Sequence, residues 1–544
     1  MIGKRPANYS LFDVGNVWPL EMNSKSFHYQ LAVAAQNGLF KDDDFAALYH
    51  ASNGRPSVPP SQLALMLILQ TYDGVSDEQA IEHSAFDLRW AAVLGRHAGE
   101  RLCAKSTLQL FRSHLILHDA FRTFLQRSIE EAKASGLIQG RALTAAIDTK
   151  PMLGHGAVQD TYNLLAQAMR QLARALARER GCSIRELLDH NDLSALSEPS
   201  IKGTVVIDWS DEAARDTFLT QLVGQARRLL TLAEGASKHV YENAQLLSQI
   251  LLQDVEPKSG PGKSDPGKSD PDDPTVTIKE GTVHDRIPSA TDPQQRHGRK
   301  SASKRFNGHK SSIVCDTGSG IVLSCRILAG NAGDATDALE QVEEAQRHAA
   351  LPIAQVLGDC AYGGAETRSA FADSKHTLIA KVPSAPSGPF SKGAFHIDLL
   401  HDQVTCPAGN ISNAYTQHTD GGKTFYFDEY CPHCPLRQKC TTSALGRSLK
   451  VHPNEAELQQ ARTFQNSAPG RQKLKDRLVV ENTLGRLSSY DIGQARYIGR
   501  TKSTFQLTIA STVANFRRIW NCFAMSALAT TPNTTPVLRL APAQ

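Results

Sequence analysis

Three acidic residues stand where strand and helix patterns would fix them: Asp148 in "AAIDTK", Asp359 in "VLGDCAYGG" and Glu481 in "RLVVENTLGRL". Leu143 to Ile147 is an apolar run with a β-branched end, the length of a buried strand. Asp148 follows it, and Pro151 is expected to stop the strand. "IAQVLGD" repeats the pattern and puts Asp359 at a second strand end, while Glu481 falls in a helical stretch. Taken singly, a strand-end aspartate caps a turn. Two on one sheet, met by a glutamate from a helix, would suit Mg²⁺, which takes hard oxygen ligands and keeps several waters. A pair of such cations about 3.5–4 Å apart serves the attacking and leaving oxygens of a phosphodiester displacement.

Cys406, Cys431, Cys434 and Cys440 form a second constellation, C-x24-C-x2-C-x5-C. Four thiolates so spaced predict a structural Zn²⁺ site, with a 4Fe–4S cluster or free loop thiols as the alternatives. Zinc would fold an insert too small and Gly-rich for a core of its own. The other six cysteines read as core residues.

Basic residues cluster too. "RHGRKSASKRFNGHK" carries Arg296, Arg299, Lys300, Lys304, Arg305 and Lys310 without an acid, and "RQKLKDR" sets four basic residues against Asp476. The net charge of only +4 gives no overall attraction to nucleic acid, so any phosphate contact must come from such local tracks. Solvated loops are the alternative reading of each cluster.

These residues need elements to hold them. At 544 residues the chain exceeds one compact core, so several domains are expected. No membrane-length apolar run or signal-peptide core is present, which predicts a cytoplasmic protein with reduced thiols. Residues 1–135 read as a helical domain, with Ser76 and Gln79 forming a capping box. Such a bundle is either a DNA reader or a packing and dimerisation domain. Residues 140–156 and 276–383 read as an α/β core, in which "HKSSIVCD", "TGSG" and "IVLSCRIL" make a hairpin. Asp334 is expected to cap the helix that follows. Asp292, Asp316 and Asp337 read as structural acids. Residues 157–255 form a helical insertion, whose Arg170, Arg174 and Arg178 make a stripe read as a solvated face. The tandem PGKSD repeat marks 256–275 as a flexible linker. The Cys-rich insert spans 384–465, a helical end of the core 466–528, and a disordered tail 529–544.

In this order the acids, hairpin and cysteine insert resemble the DDE transposases of bacterial insertion sequences, in the group with a Cys-rich insert before the glutamate. "DRIPSATDPQQRHGRKSASKRFNGHK", "AGNAGDATDA", "GRTKSTFQLTIASTVANFRRI" and the N-terminal "GRPSVPPSQLALMLILQTYDGVSDEQAIEHS" resemble blocks of that group. The resemblance implies an α/β fold: a ribonuclease H-like mixed sheet preceded by an all-α domain. It implies that Asp148, Asp359 and Glu481 are catalytic and bind Mg²⁺ or Mn²⁺. It implies double-stranded DNA as partner (terminal inverted repeats and target), a homodimer on that DNA, and a nucleoid-associated place in a prokaryotic cytoplasm. An inactive DNA-binding relic or a stand-alone nuclease are the alternatives. The family's Tyr, Arg, Glu, Lys signature is met at Arg477 and Glu481 but reads Leu474 and Ser488 at its ends. Arg477 would touch a phosphate or form an ion pair, and Arg486, Arg496, Arg500 and Lys502 could replace the missing lysine.

Overall fold

The computed structural model describes residues 1–4, 23–50, 54–258, 275–281, 283–301, 303–383 and 390–530, with side chains described as far as residue 522. The PGKSD linker and the tail beyond residue 530 lie outside the described residues.

A six-stranded mixed sheet carries the acids. Its strands are β1 (Leu143–Leu153), β2 (Arg296–Arg299), β3 (Arg305–Asp316), β4 (Val322–Ala329), β5 (Ile353–Leu357) and β6 (Thr377–Ile379). The order is β4-β3-β1-β5-β6, with β2 sharing the outer edge of β3 with β4. β1 runs antiparallel to β3 and parallel to β5, and β6 continues the parallel side. This is a ribonuclease H-like mixed sheet, preceded by helices, and the expected fold class is borne out.

β1 departs from expectation by running through Asp148 and Pro151 to Leu153. Pairing with β3 continues from Ala145↔Asp316 to Leu153↔Gly308, whereas pairing with β5 ends at Ala146. Past Ala146 one edge of β1 has no sheet partner for its next residues, and a proline is tolerated at such an edge. Asp148 therefore marks the end of its parallel neighbour, not of its own strand.

The N-terminal helices are not a separate body. Their apolar residues and those of the sheet form one continuous core, which includes Leu31, Phe45, Trp90, Ile147, Val314 and Phe516. Helix α1 (Phe27–Gln36) brings Phe27 within 5.1 Å of Trp520, ring to ring. Helix α2 (Asp77–Phe86) starts on the expected box, Ser76 and Gln79 each accepting the other's backbone N–H.

The segment after β1 forms α3 (Thr161–Arg180), α4 (Glu212–Leu232) and α5 (Lys238–Asp254) around a second core of Leu165, Leu172, Leu222, Leu247 and Ile250. Val255–Pro257 pairs antiparallel with Val276–Ile278, and Val276 packs into this core. The chain after residue 276 thus belongs at first to the insertion, and the sheet resumes only at β2. Arg170 corrects the solvated-stripe reading: it is buried and donates to the Leu196 carbonyl at 2.8 Å, while Arg174 and Arg178 are exposed.

Helix α6 (Ala338–Ala349) begins later than "DATDALEQ" suggested, with Asp337 at its N-cap in a left-handed conformation, φ 56°. Asp334 is thereby released from capping. Helix α7 (Leu478–Leu487) carries Glu481, and α8 (Arg500–Thr530) runs along the seam between N-terminal helices and sheet. At that seam Asn515, 1% exposed, accepts from Val322 N–H at 2.8 Å and donates to Val322 C=O and Ser128 Oγ, both at 2.9 Å. Asn515→Leu keeps the volume but strands these buried groups, at roughly 1–3 kcal/mol each. It should lower stability by about 3 kcal/mol in urea unfolding. An unchanged midpoint would show that the seam does not depend on this side chain.

No described helix is long and apolar enough to cross a membrane.

Candidate active site

Asp148, Asp359 and Glu481 line one open cleft at the end of the β1/β5 pairing. Asp148 is held by its strand, and its Oδ1 accepts the Thr149 N–H at 2.8 Å. Asp359 follows β5 across Gly358 and caps a short turn, its Oδ1 accepting the Ala361 N–H at 2.8 Å. Gly358 is required there, since a Cβ would lie 2.9 Å from Tyr362 Cβ and about as near its ring. Glu481 reaches in from the first turn of α7 and is the most exposed of the three.

Arg477 sits between two of the acids, donating through Nη1 to Asp148 Oδ2 at 3.4 Å and through Nη2 to Glu481 Oε1. The spacing i, i+4 on one helical face, read from sequence, is what lets Arg477 meet Glu481. The electrostatics are those of crowded carboxylates. Burial first, then the charges of Asp359 and Glu481, push Asp148 up to about 6 against the opposing pull of the Thr149 N–H and Arg477. Tyr362 lies beneath, fully buried, and its hydroxyl has no hydrogen-bond partner among the described residues. Burial and the charges of Asp148, Asp334 and Asp359 raise its pKa.

Two residues here were misread or missed in the sequence. Asp334, taken for a helix cap, lines the cleft and accepts from Lys310 Nζ at 2.7 Å. Tyr362 carried no signal beyond its place three residues after Asp359. Asp292, read as structural, is fully buried against His309 at 3.3 Å, and Asp316 accepts from Ser319 in its turn.

The basic residues divide. Arg299 and Lys300 line the cleft and are exposed, and Lys304 and Arg305 are exposed on the β2–β3 hairpin outside its lining. Lys310 is turned inward onto Asp334 and the Ala332 carbonyl. Arg296 is spent on the Pro293 and Gln295 carbonyls and on Asp285. Arg486 lies five residues beyond Glu481, so it points off that face and donates to Thr483 Oγ1 and the Gly320 carbonyl. Arg496 pairs with Asp491, and Arg500 and Lys502 are exposed at the start of α8.

Cys406, Cys431, Cys434 and Cys440 line one small pocket, and Cys431 Sγ accepts the Arg447 N–H at 3.3 Å. Among the described residues, however, no three cysteine, histidine or acidic side chains form a group that could hold a metal ion. Zinc is therefore not supported. The premise behind it also fails, because the insert has two three-stranded sheets and its own apolar core of Phe395, Val404, Phe425 and Phe427.

The cleft is lined by three carboxylates, the hard oxygen donors that a divalent cation such as Mg²⁺ takes. The acids do not form a closed ligand group in this geometry, and the Arg477 guanidinium lies between Asp148 and Glu481.

Residues 405–520 match the family model described as Transposase DDE domain, and residues 24–114 match Transposase domain (DUF772). Glu481 lies inside the first match, and Asp148 and Asp359 lie outside both. No curated protein and no solved structure matches the chain. The two matches, a transposase domain near the N-terminus and a transposase DDE domain toward the C-terminus, support an insertion-sequence DDE transposase.

Proposed function

We propose that this transposase binds the terminal inverted repeats of its element, cuts the DNA there and joins the freed 3′-hydroxyls to target DNA. The observation that supports this most is the convergence of Asp148, Asp359 and Glu481, from three distant parts of the chain, on one cleft edged by Arg299 and Lys300. Bound by those carboxylates, Mg²⁺ or Mn²⁺ would activate the attacking oxygen and stabilise the leaving one. The chain's own part is placement. Asp148 sits on β1 with its Oδ1 on the Thr149 N–H, Asp359 caps its turn, and Glu481 stands on the first turn of α7. Arg477 steadies Asp148 and Glu481 and carries the charge to meet a phosphate oxygen. The helices of residues 1–135 would hold the repeat, and two protomers would pair two ends.

The test is cutting of a labelled duplex carrying the element's own terminal repeat, with Mg²⁺. Wild type should cut, and Asp148→Ala, Asp359→Ala and Glu481→Ala should bind the duplex without cutting it. Wild type that binds but never cuts points to a DNA-binding relic. Cutting by a monomer with no need for the repeat points to a nuclease. Cutting that survives Glu481→Ala removes that residue from the set.

A further inference from the structure

The cleft's charges do not cancel evenly. Arg477 answers Asp148 and Glu481, Lys310 answers Asp334, and Asp359 takes a backbone N–H. Lys150, Arg299 and Lys300 line the same cleft and have no carboxylate partner among the described residues. Lys150 lies two residues after Asp148 on β1, so both project from one face of the strand, roughly 7 Å apart. Its ammonium donates to the neutral Ser488 hydroxyl at the end of α7. Three cationic side chains around one cleft with no carboxylate partner suit an anionic ligand. Lys150 stands outside both basic clusters, so nothing in its sequence context marks this role.

We propose that Lys150, with Arg299 and Lys300, forms a subsite for a DNA backbone phosphate beside the one that is cut. The proposal rests on the reading of the cleft as a DNA-cutting site and names the group that sets the strand's register across it. Lys150 is a positioning residue. It touches the neighbouring phosphate, not the reacting atoms, and Ser488 holds its tip between β1 and α7. The phosphate belongs either to the element end before cutting or to the target during joining.

The test uses the full chain with Lys150→Gln, Lys150→Arg and the double change Lys150→Gln with Ser488→Lys, each checked for an unchanged thermal unfolding midpoint. Affinity is measured against salt on an intact repeat duplex, on a pre-cut repeat end and on unrelated target duplex. Lys150→Gln should flatten the slope of log K against log salt by about 0.9, one phosphate contact, and slow cutting by about 10–100-fold. Lys150→Arg should keep the slope. Adding Ser488→Lys should restore it, because an ammonium returns to where the Lys150 tip lies. A flattened slope on the repeat duplexes alone assigns the phosphate to the element end, and one on the unrelated duplex alone assigns it to the target. A wild-type slope in Lys150→Gln on all three duplexes overturns the proposal, as does a loss that neither Lys150→Arg nor Ser488→Lys recovers. The salt slope is read whether or not the protein cuts, so wild type that binds without cutting would sink the cutting reading alone.

Discussion

Asp148→Asn should slow cutting by ~10³-fold or more, and at the same time make the cation-free chain more stable at pH 8. On the proposed role of Asp148, the first effect follows from removing a charge that would hold a catalytic cation, worth several kcal/mol, and each 1.36 kcal/mol is tenfold in rate. The second follows from the crowding of the acids. The folded pKa of Asp148, about 6, lies above the value of 3.8 for a free aspartate, chiefly through burial and then through Asp359 and Glu481. The native state therefore holds its proton more tightly than the unfolded state. Below about pH 4 both states are protonated and nothing is lost. As pH rises through 6, the native carboxylate is forced to ionise among its neighbours, and stability falls by up to about 3 kcal/mol. Asparagine never ionises, so it escapes this loss and still accepts from Thr149 and Arg477. Thermal unfolding in a chelator should give variant and wild type similar midpoints near pH 3, with the variant higher at pH 8. Equal midpoints at both pH values would mean that Asp148 carries no such strain.

The pattern of residues reached the fold more fully than the site. Alternation and apolar runs sufficed to find β1, the β3–β4 hairpin and β5, because a buried strand must be apolar over several residues. Asp148, Asp359 and Glu481 were visible because each directly adjoins or sits within such an element. What failed depended on contacts between distant segments. Asp334 looked like a helix cap because its partner, Lys310, is 24 residues away on β3. Pro151 looked like a strand stop because the open edge of β1 depends on where β5 ends. Arg170 looked solvated because the Leu196 carbonyl that takes its charge is 26 residues on. The cysteine insert looked coreless because its apolar residues are spread over four short strands and the loops beside them. The continuity of the N-terminal helices with the sheet rests on α8, read from the sequence only as part of a helical end over 466–528, without its packing partners.

Arg477→Gln should do two opposite things: tighten binding of Mn²⁺ in the absence of DNA by about tenfold, and slow cutting by about 100-fold. In the structure the guanidinium donates to Asp148 Oδ2 and Glu481 Oε1. A divalent cation shared by those acids would use the same oxygens, so cation and arginine compete for them. A unit positive charge beside a divalent cation would repel it by several kcal/mol at an effective dielectric of 20. Because the arginine can swing aside in an open cleft, the net gain is smaller, about 1.4 kcal/mol or tenfold. With a cation on those acids, the Arg477 guanidinium would be free to offer its five donors and fixed charge to a phosphate oxygen. Losing that charge-assisted contact at the reacting phosphate accounts for about 2–3 kcal/mol, near 100-fold. Calorimetric titration with Mn²⁺ gives the first number, and single-turnover cutting at saturating Mn²⁺ gives the second. An arginine that merely braces α7 against β1 would, when replaced, weaken cation binding and cutting together, because the acids would lose their positions. Tighter binding with slower cutting separates the two roles, and Arg477→Lys should fall between wild type and glutamine, since an ammonium lacks the planar fork that spans both carboxylates.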